Sequence, residues 1–200
     1  MTQTPNQGFF ALVAYVPDPL AGFLHEMRRN LCGSPCPQPH VTILPPRPLH
    51  VPAESACQTA GQILQSQHPF EVEFSHISYF VNTNTLYLDI NDGASELHAI
   101  HDRLNHGDLY HQEEFAFRPH LTVAGLVTAQ RLPEVLQQAE TYWRAARLSP
   151  RFLLSEIVCL LQDAMQDKDN WRRSWSIKMN PATSQSSLTP CDLFANADQQ

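Results

Sequence analysis

Pro39-His40-Val41-Thr42-Ile43 returns 80 residues later as Pro119-His120-Leu121-Thr122-Val123. In an extended strand, residues i and i+2 project to one side and i+1 to the other. His40 and Thr42 therefore share one face, while Val41 and Ile43 share the opposite, apolar face. The second copy repeats the arrangement, with Arg118, His120 and Thr122 on one side and Phe117, Leu121 and Val123 on the other. An apolar face packs under other elements, so each polar face is left to line a cleft or to meet solvent. Each copy also follows a strand-like and then a helix-like segment. The repeat thus hints at an internal duplication, two similar lobes whose junction holds both motifs.

Outward from the motifs, the short apolar run from Gly8 to Val16 reads as a buried strand. From Pro19 the spacing of Leu20, Phe23, Leu24, Met27 and Leu31 turns helical, with Asp18 as N-cap and Pro19 at the first position. The strand at His40–Leu44 is expected to stop at Pro45-Pro46-Arg47-Pro48. A helix is expected over Ala53–Gln67, then a hairpin of Phe70–Phe80 and Leu86–Ile90 around Asn82-Thr83-Asn84. Asp92 or Ser95 is expected to cap a helix carrying Leu97, Ile100 and Leu104, and Phe115–Leu126 reads as the second motif strand. Leu132 to Trp143 carries another amphipathic stripe. Two closing strands are expected at about Phe152–Leu161 and Trp171–Met179, separated by a polar turn over 163–170. The order implies α/β or α+β, with largely antiparallel sheets and outer helices. Residues 1–180 are expected to form a single bilobal domain and residues 181–200, rich in Ser, Thr, Gln, Asn and Asp, a disordered tail.

The composition bounds the function. The 200 residues hold 13 Lys and Arg against 20 acids, a net charge of −7. A stable complex with long nucleic acid is disfavoured, because such binding is dominated by phosphate neutralisation from a basic face. A few arginines inside a cleft still suffice for a small nucleotide or an RNA end. Only seven glycines are present and none forms a phosphate-cradling loop, which removes dinucleotide-fold and P-loop sites. Five scattered cysteines read as reduced thiols, and no run is apolar enough to span a bilayer. A cytoplasmic monomer without membrane association is the expectation.

Two imidazoles facing one cleft suit phosphodiester chemistry. Near neutral pH one accepts a proton from the attacking oxygen while the other, protonated, donates to the departing one. Thr42 and Thr122 supply hydroxyls for non-bridging oxygens, and Arg118 a guanidinium on the His120 face. Arg47, in a stiff proline frame just past the first motif, is either a second phosphate reader or a plain surface residue. No metal or cofactor is needed. Cys32, Cys36 and His40 recur at intervals of four, but the intervening prolines spoil a metal geometry. His98, His101, His106 and His111 read as a solvated helix face and its exit, Trp171 and Trp175 as cover for a sheet. Tyr87 or Phe80 is a candidate to stack a base, with core packing the plainer reading.

The paired motifs, and especially Phe115-Ala116-Phe117-Arg118-Pro119-His120-Leu121-Thr122-Val123-Ala124, resemble the signature of the two-histidine phosphoesterase superfamily. The likeness is to its 2′–5′ RNA ligase and cyclic phosphodiesterase (LigT-like) group, over roughly residues 8–180. It implies a bilobal fold with a pseudo-twofold axis and both motif strands lining a central cleft. It also implies opening of a 2′,3′-cyclic phosphate to a 2′-phosphate, with reverse 2′–5′ ligation in some members. Two alternatives share the fold: an idle nucleotide- or RNA-end-binding module, and a 3′–5′ oligonucleotide-trimming enzyme. Many relatives carry a phosphate-binding arginine five residues after the second histidine. Here that position is Gly125, with Arg118 or Arg47 as the expected substitute.

Overall fold

The computed structural model describes residues 8–32, 36–162 and 171–180. Its strands are β1 (Phe9–Tyr15), β2 (His40–Pro48), β3 (Phe70–Phe80), β4 (Thr85–Ile90), β5 (His120–Ala124), β6 (Arg151–Leu154), β7 (Glu156–Gln162) and β8 (Arg172–Lys178). Its helices are α1 (Leu20–Cys32), α2 (Ala53–Leu64), α3 (Ala94–Leu104) and α4 (Leu132–Ala145). The fold is α+β. Two antiparallel four-stranded sheets run in the orders β2-β1-β7-β8 and β5-β4-β3-β6.

The two orders correspond strand for strand, as two like halves. Each motif strand occupies a sheet edge, next to the strand that precedes it across a helix: β1-α1-β2 in one half, β4-α3-β5 in the other. The helices then cross over. α1 packs against β5 and α4, whereas α3 packs against β2. Each half therefore covers the other half's motif strand, which locks the two edges face to face, with β2 and β5 in contact. A single buried cluster links Phe10 and Leu12 of β1, Leu24 of α1, Leu88 of β4 and Leu121 of β5.

Local structure follows the sequence with three corrections to the strands and one to a helix cap. The first concerns β2, which does not end at Pro45 but continues to Pro48, with Phe10 opposite Arg47 and Phe9 opposite Pro48. Pro45, Pro46 and Pro48 lack an N–H, yet an edge strand needs donors on one side only, and the pairing with β1 shifts register nearby. The second concerns residues 115–119, which are not strand; only His120–Ala124 is. Phe117 is drawn off to stack on the His101 ring of α3, with centroids 3.9 Å apart and planes 5° apart. Finally, the expected strand Phe152–Leu161 is two. Around Ser155 the chain leaves one sheet, where β6 pairs with β3, and enters the other, where β7 pairs with β1. The burial pattern changes there too, from alternation at Phe152 and Leu154 to a continuous run over Ile157–Cys159. That run is the mark of a strand covered on both faces.

Asp18 accepts from the Gly22 N–H at 3.0 Å at the start of α1, much as its N-cap reading requires. For α3 the cap is Gly93 at φ 83°, not Asp92 or Ser95, and a Cβ there would meet the Glu71 carbonyl oxygen at 2.5 Å. No described helix is long and apolar enough to cross a membrane. The polar turn expected over 163–170 and the tail over 181–200 lie outside the described residues.

Candidate active site

Burial along the two motif strands alternates in step. His40 and Thr42 are half-buried between the buried Val41 and Ile43, as His120 and Thr122 are between Leu121 and Val123. The polar faces look into the junction of the two sheets.

The imidazoles are oriented by the same device twice. His40 Nδ1 lies 2.7 Å from the Gln38 carbonyl oxygen, and His120 Nδ1 lies 2.7 Å from the Arg118 carbonyl oxygen. A carbonyl only accepts, so Nδ1 carries the hydrogen in both rings. Each Nε2 is then the free nitrogen, an acceptor when the ring is neutral and a donor when it is charged. Ring packing fixes the planes. Phe80 and Tyr87 meet the His120 edge at 5.0 and 5.4 Å between centroids, and Tyr15 meets His40 at 6.1 Å.

Burial holds the His40 pKa below the usual imidazole value, helped by the charges of Arg28 and His120 and opposed by the Gln38 carbonyl. Burial also lowers that of His120, with Arg118 adding to the effect while its own carbonyl and the Asp89 carboxylate oppose it. Both rings thus favour the neutral form at pH 7, with Asp89 on the cross-strand partner of His120 making that ring the one with a nearby anion.

Two cavities share the four motif side chains. The larger, of about 820 Å³, is lined by Thr42 and His120 together with Phe80, Phe117, Arg118 and Glu113. The smaller, of about 560 Å³, is lined by His40 and Thr122 together with Arg28, Gly125, Thr128 and Arg131. The swap of partners, histidine of one motif with threonine of the other, is what a pseudo-twofold through the junction produces.

The two arginines expected to bind phosphate sit differently. Arg118 lines the larger cavity and is half exposed, but it is engaged: its guanidinium bonds both oxygens of Asp89, at 2.9 and 3.4 Å, and lies 5.1 Å from the Tyr87 ring centre. Arg47 is 2% exposed and does not face the cleft. It donates to Glu113 at 2.6 Å, Asn105 Oδ1 at 2.7 Å, and the carbonyls of Leu109 at 2.9 Å and Pro45 at 3.1 Å. Glu113 also meets His101 Nε2 at 3.0 Å. Arg47 therefore ties β2 to the segment that walls the larger cavity. Its position opposite Phe10 in a paired strand, rather than in a loop, explains why it points inward.

Among the described residues no group of three or more His, Cys, Asp or Glu is placed to hold a metal ion. His101 stacks on Phe117 and pairs with Glu113, so it is a buried structural histidine rather than part of a solvated face. Phe80 lines the larger cavity, whereas Tyr87 is 2% exposed beneath it, stacked on Phe80 at 4.2 Å. Sequence reasoning passed over Arg28, whose signal was present. An arginine falls on the inward side of α1 among Leu24, Met27 and Leu31, where only apolar residues are expected.

The fold and the family are also found in known proteins. The family model described as the 2′-5′ RNA ligase superfamily matches residues 16–165. Escherichia coli LigT complexed with 3′-AMP superposes with a TM-score of 0.62 at 12% identity, covering 86% of this chain and 98% of that one. TT0787 of Thermus thermophilus gives 0.63 at 13% identity, covering 87% and 99%. Kluyveromyces marxianus Usb1 with uridine monophosphate gives 0.53 at 11% identity, covering 84% and 98%. Among curated proteins nothing matches the chain.

Proposed function

Since the chain belongs to the 2′-5′ RNA ligase superfamily, we propose that it is a metal-independent phosphodiesterase opening 2′,3′-cyclic phosphates of nucleotides or RNA ends to 2′-phosphates. The observation that carries this reading is the pair of imidazoles, each with Nδ1 held by the carbonyl two residues earlier and Nε2 left for a substrate, His40 lining the smaller cavity and His120 the larger. His40, Thr42, His120 and Thr122 are the catalytic set. Arg118 is a substrate-binding residue whose charge Asp89 partly offsets.

In the proposed reaction, water attacks phosphorus as one neutral Nε2 takes its proton. The bond from phosphorus to the 3′ oxygen breaks, and the other ring, as imidazolium, gives that oxygen its proton. The pH profiles of His40→Ala and His120→Ala assign the roles, each variant flattening the limb that its ring controls. Thr42 and Thr122 donate to the non-bridging oxygens as charge gathers there. With a 5′-hydroxyl in place of water the same two groups, in the same roles, serve 2′–5′ ligation; the roles exchange only in the reverse cleavage of that linkage, by microscopic reversibility. The nucleobase belongs in the larger cavity, against Phe80. E. coli LigT with 3′-AMP and K. marxianus Usb1 with uridine monophosphate support a small nucleotide ligand.

The test is turnover of a nucleoside 2′,3′-cyclic phosphate in EDTA, with the product identified. A 2′-phosphate formed by the wild type and lost in His40→Ala and in His120→Ala supports the proposal. Binding without turnover overturns it in favour of a binding module. Release of mononucleotides from a short RNA, with the cyclic phosphate untouched, overturns it in favour of a trimming enzyme.

A further inference from the structure

The smaller cavity has a charge character opposite to the rest of the protein. The chain carries −7 overall, yet this cavity is lined by two arginines, two threonines and no carboxylate. Its counterpart holds Glu113 and Glu114 against Arg118 alone. A carboxylate-free pair of guanidiniums beside one catalytic histidine is an anion site by composition.

Arg28 is the stronger of the two signs. It is 6% exposed, so its charge has been taken out of water at considerable cost. Its Nη1 donates to the Pro37 carbonyl at 2.7 Å, but Nε is buried and has no hydrogen-bond partner. Among the described residues no carboxylate lies within ion-pair distance of it, in contrast to Arg47, Arg118, Arg144 and Arg151, which all have one. Nε has no accessible surface and meets no ligand itself, but a buried guanidinium without a carboxylate partner is matched by an anion at the cavity that Arg28 lines. Arg131, exposed at the foot of α4, faces the same cavity, and Gly125 leaves it open, since a Cβ there would touch nothing within 4 Å. The fall in the Arg28 pKa through burial is consistent with an unmatched cation.

We infer that the smaller cavity binds a second phosphate of the substrate, one nucleoside away from the phosphate that reacts, through Arg28 and Arg131. This rests on the proposed reaction and names its substrate class. With the base against Phe80, the remaining charged group of a terminal nucleotide is its 5′-phosphate, and the carboxylate-free cavity beside His40 and Thr122 is the one suited to it. The preferred substrate is then a 5′-phosphorylated or chain-linked 2′,3′-cyclic end, not a bare nucleoside 2′,3′-cyclic phosphate.

The experiment compares kcat/KM for a nucleoside 2′,3′-cyclic phosphate with and without a 5′-phosphate, on the same enzyme in the same salt. The wild type is expected to prefer the 5′-phosphorylated form roughly 10- to 100-fold, the range of one or two charge-assisted hydrogen bonds. That ratio falls toward 1 in Arg28→Gln and in Arg131→Gln. Because it is taken within one variant, it cancels any general loss of activity. Arg131 is exposed, so its variant also keeps the test open where Arg28→Gln fails to fold. Equal kcat/KM for the two substrates in the wild type overturns the inference and leaves the proposed reaction standing. A wild-type preference that neither variant reduces assigns the phosphate elsewhere and also overturns it. Failure to turn over either substrate sinks the reaction itself, and with it this assignment.

Discussion

Replacing Arg47 with methionine separates two accounts of one residue. If it reads phosphate, the variant binds substrate poorly and folds normally. The structure argues the reverse. Arg47 is 2% exposed, and its partner Glu113 has a side chain only 14% exposed, so the pair is desolvated. Arg47→Met leaves the Glu113 carboxylate buried with His101 as its remaining partner, and frees Asn105 and the Leu109 carbonyl from a donor. Removing one side of such a pair costs about 3–5 kcal/mol. For a chain of this size that lowers Tm by roughly 6–20 °C. The companion variant is decisive. Most of the cost is the stranded charge, so Arg47→Met combined with Glu113→Gln recovers about half or more of the lost stability. Thermal unfolding of the single and double variants reads both numbers. An unchanged Tm for Arg47→Met with a tenfold rise in KM would instead restore Arg47 to the phosphate site.

Further outcomes follow from the same geometry. Thr42→Val and Thr122→Val, which keep shape and remove a hydroxyl, each reduce kcat about 10- to 100-fold with little change in Tm, as steady-state assays and unfolding will show. Both histidine pKa values are lowered, so kcat/KM peaks on the acid side of about 6.5 and declines above it; a free-enzyme optimum above pH 7.5 contradicts the site electrostatics. The same shifts act on stability. Below about pH 6.5 the unfolded chain binds protons that the folded rings resist, so stability is lost as pH falls through that window, while above it both states are neutral and the rings contribute nothing. Gly125→Arg folds with Tm within about 2 °C, because its Cβ meets open space and its φ is ordinary, and it tightens inhibition by pyrophosphate several-fold by adding a guanidinium to the smaller cavity.

The motif strands were readable because strand periodicity is a local property. His40 and His120 had to face opposite to Val41 and Leu121, whichever way the chain folded. That the motifs repeat with a strand and a helix before each also foretold two like halves. What could not be read is what depends on pairing partners. Pro45-Pro46-Arg47-Pro48 looks like a strand terminator until β2 is known to be an edge, and that edge turns Arg47 into the core. Phe115–Pro119 has strand composition, but Phe117 stacks better on His101, a residue of α3. Arg28 was legible as an arginine on the apolar side of α1, but that this side meets the other half's motif strand is a fact of tertiary structure. The Nδ1 anchors are invisible for the same reason: backbone carbonyls carry no sequence signature.

The Nε2 atoms of His40 and His120 act as one acid–base unit in the proposed reaction. The direct measurement is kcat on a 5′-phosphorylated 2′,3′-cyclic nucleotide, in EDTA, for His40→Ala, His120→Ala and the variant carrying both. Groups that work in a single transition state are not additive. Each single substitution is therefore expected to cost about 10²- to 10⁴-fold, with the double variant little worse than either. A single variant that keeps more than a tenth of wild-type kcat, with its fold intact, contradicts the claim.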